Sequence, residues 1–396
     1  MRSNFKLNLA SRVIALLFFA QWVWFQTSVR NWDRTEVAAR FFLGNDFVYF
    51  YNAAGHFLSG KSPYLEQSFI PLPSALYLPI LLHSLPFWDA LLAFRTVCFA
   101  LAIFATLWLA HQVELNLTNS ALALAITLTY GPFYSALAGG NVDALMLALL
   151  VFACARTAPV RGAFLGLSIG TKFYSLLLLP VLLLRRRRRE ILWALAALAL
   201  ALLPFLWYVP EGVSSLLHRT NTLRLEGNES PAVLFILMFG EKNAWLWRGC
   251  YFLFWGGTLM VRMAADAREQ PETEERFRGL NYLPWMAAAP VLVFTYTGTI
   301  LLPVIVLMAR KNQERELNWA EWLTVTGFLI TGIYPLAASG ILRTLSQSIS
   351  AFAPNNPKAL LAIAPIGISA MLIGSSANAC LTFRKIRSES KVAIAS

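Results

Sequence analysis

Apolar runs long enough to cross a bilayer recur along this sequence, and no other feature constrains its folding as strongly. Residues 13–29, 88–110, 191–209, 244–261 and 359–381 are continuous apolar stretches with aromatic residues near their ends. A hydrocarbon layer of roughly 30 Å is spanned by about 20 helical residues. Aromatic rings favour the headgroup region at either end. The whole chain is consistent with lipid as its solvent: 57% of its 396 residues are hydrophobic and 14% are charged. Mean hydropathy is +0.56. Backbone polar groups in hydrocarbon must be satisfied within the segment, so runs of this length predict helices, not a barrel. The expected fold is all-α, polytopic and transmembrane, with about 12 spans.

Charge orients the chain. The net charge of +12 raises the possibility of nucleic acid as a partner, but the basic residues abut the apolar runs. The run Arg185 to Arg189, the pair Arg156 and Arg161, and the groups Arg262, Arg268, Arg276 and Arg278 read as cytoplasmic turns, as do Arg310, Lys311 and Arg315 and the tail Arg384, Lys385 and Arg387. No nucleic-acid partner is expected. With the N-terminus inside, residues 30–71 form the largest outer loop, and residues 71–86, broken by Pro71, Pro73, Pro79 and Pro86, form a surface or re-entrant segment. Residues 162–170 and 173–184 make two short legs around Lys172, which places that lysine in a water-accessible recess. Cys98, Cys154, Cys250 and Cys380 lie in apolar stretches without paired spacing, and the chain has four histidines. Neither pattern suggests a metal centre or redox chemistry, and no cofactor is expected.

Polar residues gather on the outer side. Gly44-Asn45-Asp46-Phe47-Val48-Tyr49-Phe50-Tyr51 leads into an amphipathic segment that ends at Gly60, followed by Lys61-Ser62-Pro63-Tyr64. Asn45 or Asp46 is suited to cap that helix. A carboxylate at the membrane–water boundary also suits a general base that activates a hydroxyl. Further along stand Gly139-Gly140-Asn141-Val142-Asp143, then Gly162-Ala163-Phe164-Leu165-Gly166 running to Thr171-Lys172-Phe173, and Asn228-Glu229-Ser230. Asp143 either caps the helix that starts near Val142 or belongs to the polar set. A lysine between two short apolar legs is costly unless something uses it. Lys172, His218, Arg219 and Arg224 supply cations near this polar set.

Taken together these motifs resemble glycosyltransferase family 87, and the likeness covers most of residues 1–310. The resemblance implies a C-type glycosyltransferase fold and transfer of a sugar, typically mannose, from a polyprenyl-phosphate donor on the extracytoplasmic face. The acceptor is expected to be lipid-linked or part of the cell envelope, and the setting a bacterial plasma membrane whose lipids surround the protein. By the same resemblance Asp46 is the catalytic base. The resemblance implies substrate binding by Tyr49, Tyr51, Tyr64, Asn141, Lys172, Asn228 and Ser230, and Asp143, His218, Arg219 and Arg224 are expected to join them as charged groups on the same side. No DxD pair occurs in the first loop, so no metal is inferred. Residues 1–310 are expected to form the catalytic module and 311–396 a set of C-terminal transmembrane helices. The rival reading is a transporter or lipid flippase, for which intramembrane charges and broken helices are equally characteristic.

Overall fold

The computed structural model describes residues 45–66, 69, 71–220, 231–240, 242–267, 275–288, 295–338 and 363–395. Among these, every regular element is helical. In chain order they are α1 (Asn45–Leu58), α2 (Tyr77–Leu82), α3 (Phe87–Gln112), α4 (Leu117–Thr129), α5 (Gly131–Gly139), α6 (Asp143–Phe152), α7 (Ala158–Thr171) and α8 (Leu178–Leu184). There follow α9 (Arg188–Leu202), α10 (Val209–Thr220), α11 (Ala232–Phe239), α12 (Ala244–Asp266), α13 (Leu283–Ala287), α14 (Leu302–Glu314), α15 (Trp319–Ala338) and α16 (Ile363–Ala395).

Three helical stretches among the described residues are long and apolar enough to cross a membrane: Phe87–Gln112, Arg188–Ser215 and Pro365–Thr382. Their surroundings fit lipid. Leu192, Leu195 and Leu200 on α9 and Leu253 and Met260 on α12 are exposed, an arrangement costly in water and natural in hydrocarbon. Several of the other elements are short. Between α12 and α14 the described elements include a five-residue α13 and a 3-10 turn, Thr295–Leu301. The proline-broken segment is a 3-10 turn, Pro73–Leu76, joined to the six-residue α2. It is too short to traverse ~30 Å.

One helix runs further than expected. The apolar run 191–209 sets the expected extent of this span, yet helical structure continues beyond it, from α9 through a 3-10 segment, Leu203–Tyr208, into α10. Pro204 and Pro210 fall in the first turn of their respective segments, where a missing N–H costs little.

Glycine seams set the spacing of the core. On α7, a Cβ added at Gly162 would lie 2.5 Å from the Glu190 carbonyl oxygen, and one at Gly166 2.2 Å from that of Ala194. Both clashes are with the backbone of α9. The i, i+4 glycines therefore let α7 and α9 approach closely, as small residues do in membrane helix pairs. One turn on, at Gly170, a Cβ would meet Ser74 Oγ at 2.7 Å, and Ser74 donates to the Gly170 carbonyl at 2.5 Å. The seam thus also ties the end of α7 to the proline-broken segment. A second seam joins α15 and α16, where a Cβ on Gly327 would meet the Gly367 carbonyl oxygen at 2.4 Å.

Candidate active site

Helix α1 is fixed by its aromatic residues. Phe47 is wholly buried, 5.0 Å from the Phe94 ring and 5.8 Å from that of Phe87, and Phe50 packs edge-on to Phe69. With this face held against α3, Asp46 in the first turn is directed to the turn between α5 and α6.

That turn is built around Gly140, whose φ of 66° is left-handed. A Cβ there would lie 2.5 Å from Phe47 Cβ, so both conformation and space call for glycine. The Asn141 N–H donates to the Ala136 carbonyl at 2.8 Å and the Gly140 N–H to that of Leu137 at 3.2 Å, closing α5. Arg95, buried in α3, reinforces the closure. Its Nε donates to the Leu137 carbonyl at 2.7 Å and its Nη2 to that of Ala138.

Asn141, itself buried, is the centre of the site. Its Nδ2 donates to Asp46 Oδ2 at 2.8 Å. Its Oδ1 accepts from the Asp143 N–H at 3.1 Å and from Lys172 Nζ at 3.1 Å. Both of the latter are donors only, which fixes the orientation of the amide. Lys172 stands at the end of α7 in extended conformation, φ −146° and ψ 122°, between that helix and the 3-10 segment Phe173–Leu177. From there its ammonium reaches Asp143 Oδ2 at 2.7 Å. Asp143 has no exposed side-chain surface, while Lys172 keeps 16% of its own. Tyr174 donates its hydroxyl to Asp143 Oδ1, and its ring centroid lies 5.9 Å from Lys172 Nζ.

The structure thus joins Asp46, Asn141, Asp143 and Lys172, which sequence reasoning had singled out from three separate segments. Asp143 does not cap α6 with its side chain. The N-cap position is Val142, which makes no such bond, and Asn141 satisfies the nearby N–H instead. Tyr174 and Arg95 were missed. The signal for Arg95 was available, because a lone arginine inside an apolar helix is expensive and marks a structural or functional partner. Tyr174 follows Lys172 by two residues, but no periodicity predicted the break that brings both to Asp143.

Other predicted residues lie apart from this cluster or elsewhere on its helix. Tyr49 is half-buried on α1, nearly one turn beyond Asp46. The Tyr51 hydroxyl donates to the Leu85 carbonyl at 2.8 Å, and its ring lies 4.4 Å from that of His83. The Tyr64 hydroxyl donates to the Pro71 carbonyl at 2.9 Å beside Gly212 of α10. Burial, and secondarily the negative charge of Glu211, raise the Tyr64 hydroxyl above its ordinary range. His218 and Arg219 fall in the last turn of α10, but their side chains, like all of Arg224, Asn228 and Ser230, lie outside the described residues.

A sequence model of glycosyltransferase family 87 matches residues 71–280, just over half of the chain. The chain belongs to glycosyltransferase family 87. No curated protein matches it. Family 87 membership makes the protein a glycosyltransferase, and with its apolar helices an integral membrane one. Asn141, Asp143 and Lys172 fall within the matched region; Asp46, Tyr49, Tyr51 and Tyr64 precede it. The polar centre therefore joins the family region to the helix before it. The rival transporter reading has no comparable support.

Proposed function

We propose that this family 87 enzyme transfers a hexose, mannose above all, from polyprenyl phosphate to a lipid-linked or cell-envelope acceptor. Transfer takes place at the extracytoplasmic face of a bacterial plasma membrane, within a C-type fold of about 12 spans, and inverts the anomeric centre. The observation that carries the reading is the chain Asp46, Asn141, Lys172, in which one buried amide bonds a carboxylate at one end and an ammonium at the other.

The chemistry follows from those charges. The acceptor hydroxyl oxygen attacks the anomeric carbon while the bond from that carbon to the phosphate oxygen breaks, and its electron pair leaves with the phosphate. The hydroxyl proton passes to the Asp46 carboxylate, which Asn141 holds in place by its hydrogen bond. Lys172, held by Asp143 and Asn141, presents positive charge to the departing phosphate. A single displacement with one base inverts the anomeric centre. In this scheme Tyr49, Tyr51 and Tyr64 shape the acceptor side, while His218, Arg219, Arg224, Asn228 and Ser230 extend the donor side.

The test is transfer from a radiolabelled polyprenyl-phosphate mannose by the purified enzyme in proteoliposomes. Asp46→Asn is expected to lower the rate by roughly 10²–10⁴ with donor binding retained. Equal rates for the variant and the wild type would exclude Asp46 as the base.

A further inference from the structure

The same helices that hold the polar centre carry a second charged site at their other end. Asp143 opens α6 and Cys154 follows its last turn; Lys172 closes α7 and Arg161 lies in its first. The two ends of α7 are about 16 Å apart along the helix from Arg161 to Lys172. Around Arg161 lies a small recess of about 50 Å³. Arg161, Arg185, Arg187, Arg276 and Arg278 line it against a single carboxylate, Glu190.

Local backbone geometry assembles this set. Arg186 has a left-handed φ of 55°. The Arg186 N–H donates to the Leu183 carbonyl and the Arg187 N–H to that of Leu182, each at 2.9 Å, so α8 stops and the chain reverses. That reversal leaves both Arg185 and Arg187 on the recess. Glu190 is already engaged by Arg161 at 2.6 Å and Arg187 at 3.3 Å. Asp266, the next carboxylate, is held by Arg262 at 2.5 Å and by the Tyr282 hydroxyl at 2.6 Å. Arg185 donates to the Asp266 carbonyl, and Arg276 to the Gln112 side chain at 2.8 Å. Arg161 Nε is buried and meets no acceptor among the described residues. Beneath the guanidinium groups the floor is apolar, formed by Leu150, Leu165, Leu178 and Leu283. Beside it Leu183, Leu184 and Leu192 are more than half exposed.

A cytoplasmic turn needs basic residues near a headgroup layer; it does not need five guanidinium groups gathered over an apolar floor from three parts of the chain. Guanidinium forks match phosphate oxygens in geometry as well as charge, and basic pockets between membrane helices suit lipid headgroups. We propose that this recess binds a phosphate group, with an apolar body lying along α8 and α9, at a site separate from the catalytic centre. The inference does not depend on the role assigned to Asp46.

The experiment is native mass spectrometry of the full detergent-purified chain offered equal amounts of phosphatidylglycerol and the phosphate-free diacylglycerol with the same acyl chains. Wild type is expected to retain phosphatidylglycerol preferentially, and the double variant Arg187→Gln/Arg278→Gln to retain it roughly tenfold less with unchanged helical circular dichroism. Displacement by inorganic phosphate would support a site filled from solution, and failure to displace one filled by lipid. Equal retention of the two lipids by wild type, with no response to phosphate, overturns the proposal. So does an unchanged preference in the folded double variant. If that variant does not fold, the single Arg278→Gln is read in its place, with the same two outcomes.

Discussion

Replacing Lys172 by methionine removes one partner of an ion pair and leaves the other, Asp143, without exposed side-chain surface. Breaking a buried pair in this way costs about 3–5 kcal/mol, since the surviving charge stays desolvated. The reverse change, Asp143→Asn, is milder for two reasons visible in the structure. Lys172 retains 16% side-chain exposure and its bond to Asn141, and an asparagine amide still accepts from the ammonium. A cost of about 1–3 kcal/mol is expected there. In the double variant no buried charge is left behind, so its cost should fall below the sum of the single costs by about 2 kcal/mol or more. Unfolding in mixed micelles, followed by circular dichroism on all four proteins, measures this coupling. Glycosyl transfer on the same samples separates stability from chemistry. The double variant should recover stability but not activity, because the cation is gone. Additive costs, within about 0.5 kcal/mol, would refute the claim that Lys172 and Asp143 are held as a buried pair.

Three further outcomes follow from the fold. Gly166→Ala puts a methyl 2.2 Å from the Ala194 carbonyl oxygen, so α7 and α9 must separate; a loss of about 1–3 kcal/mol is expected in the same unfolding assay, with reduced transfer because Lys172 ends α7. Arg95→Met removes the donors to Leu137 and Ala138 and should lower kcat with little change in donor KM, since Arg95 acts through the Asn141 turn; Arg95→Lys should recover part of the loss. Tyr64 holds its proton more firmly folded than unfolded, so above pH 10 the unfolded state binds fewer protons and the stability this group contributes falls as pH rises. Tyr64→Phe should flatten that part of the stability curve, as measured by unfolding midpoints across alkaline pH.

The parts of this protein that were legible in its sequence are those set by one-dimensional rules. Residues 88–110 and 191–209 declare helices because hydrocarbon permits little else, Lys172 stands out because a charge between apolar legs is costly, and Asp46 and Asn141 stand out chiefly through the family resemblance. What joins them was not legible. The Asp46 to Asn141 bond spans 95 positions and depends on Phe47 packing against Phe94 and on a left-handed Gly140, neither of which leaves a periodic trace. Asp143 illustrates the limit. Its place at a helix start favours capping by residue type, yet Asn141 two residues earlier takes that N–H and frees the carboxylate for Lys172 and Tyr174. The helical extension beyond Pro210 was hidden for a related reason: proline ends a helix when it falls in the interior but is tolerated in a first turn.

The lengths of α6, α7 and α8 bear on where the chemistry takes place. Helix α7 has 14 residues, about 21 Å, and a bilayer core is roughly 30 Å thick. If the arginine recess at its first turn lies at one headgroup layer, Lys172 at its last cannot reach the opposite layer by the helix alone. A buried lysine and aspartate at that depth require a polar shaft open to the far side. Helix α1 and the proline-broken segment meet the helices there, through Asp46 on Asn141 and Ser74 on Gly170. The proposed reaction then has its lipid-linked or cell-envelope acceptor approach from that side and its lipid-borne donor enter sideways between helices. Under the proposed function, short helices set the polar centre at a depth that a membrane-held donor reaches.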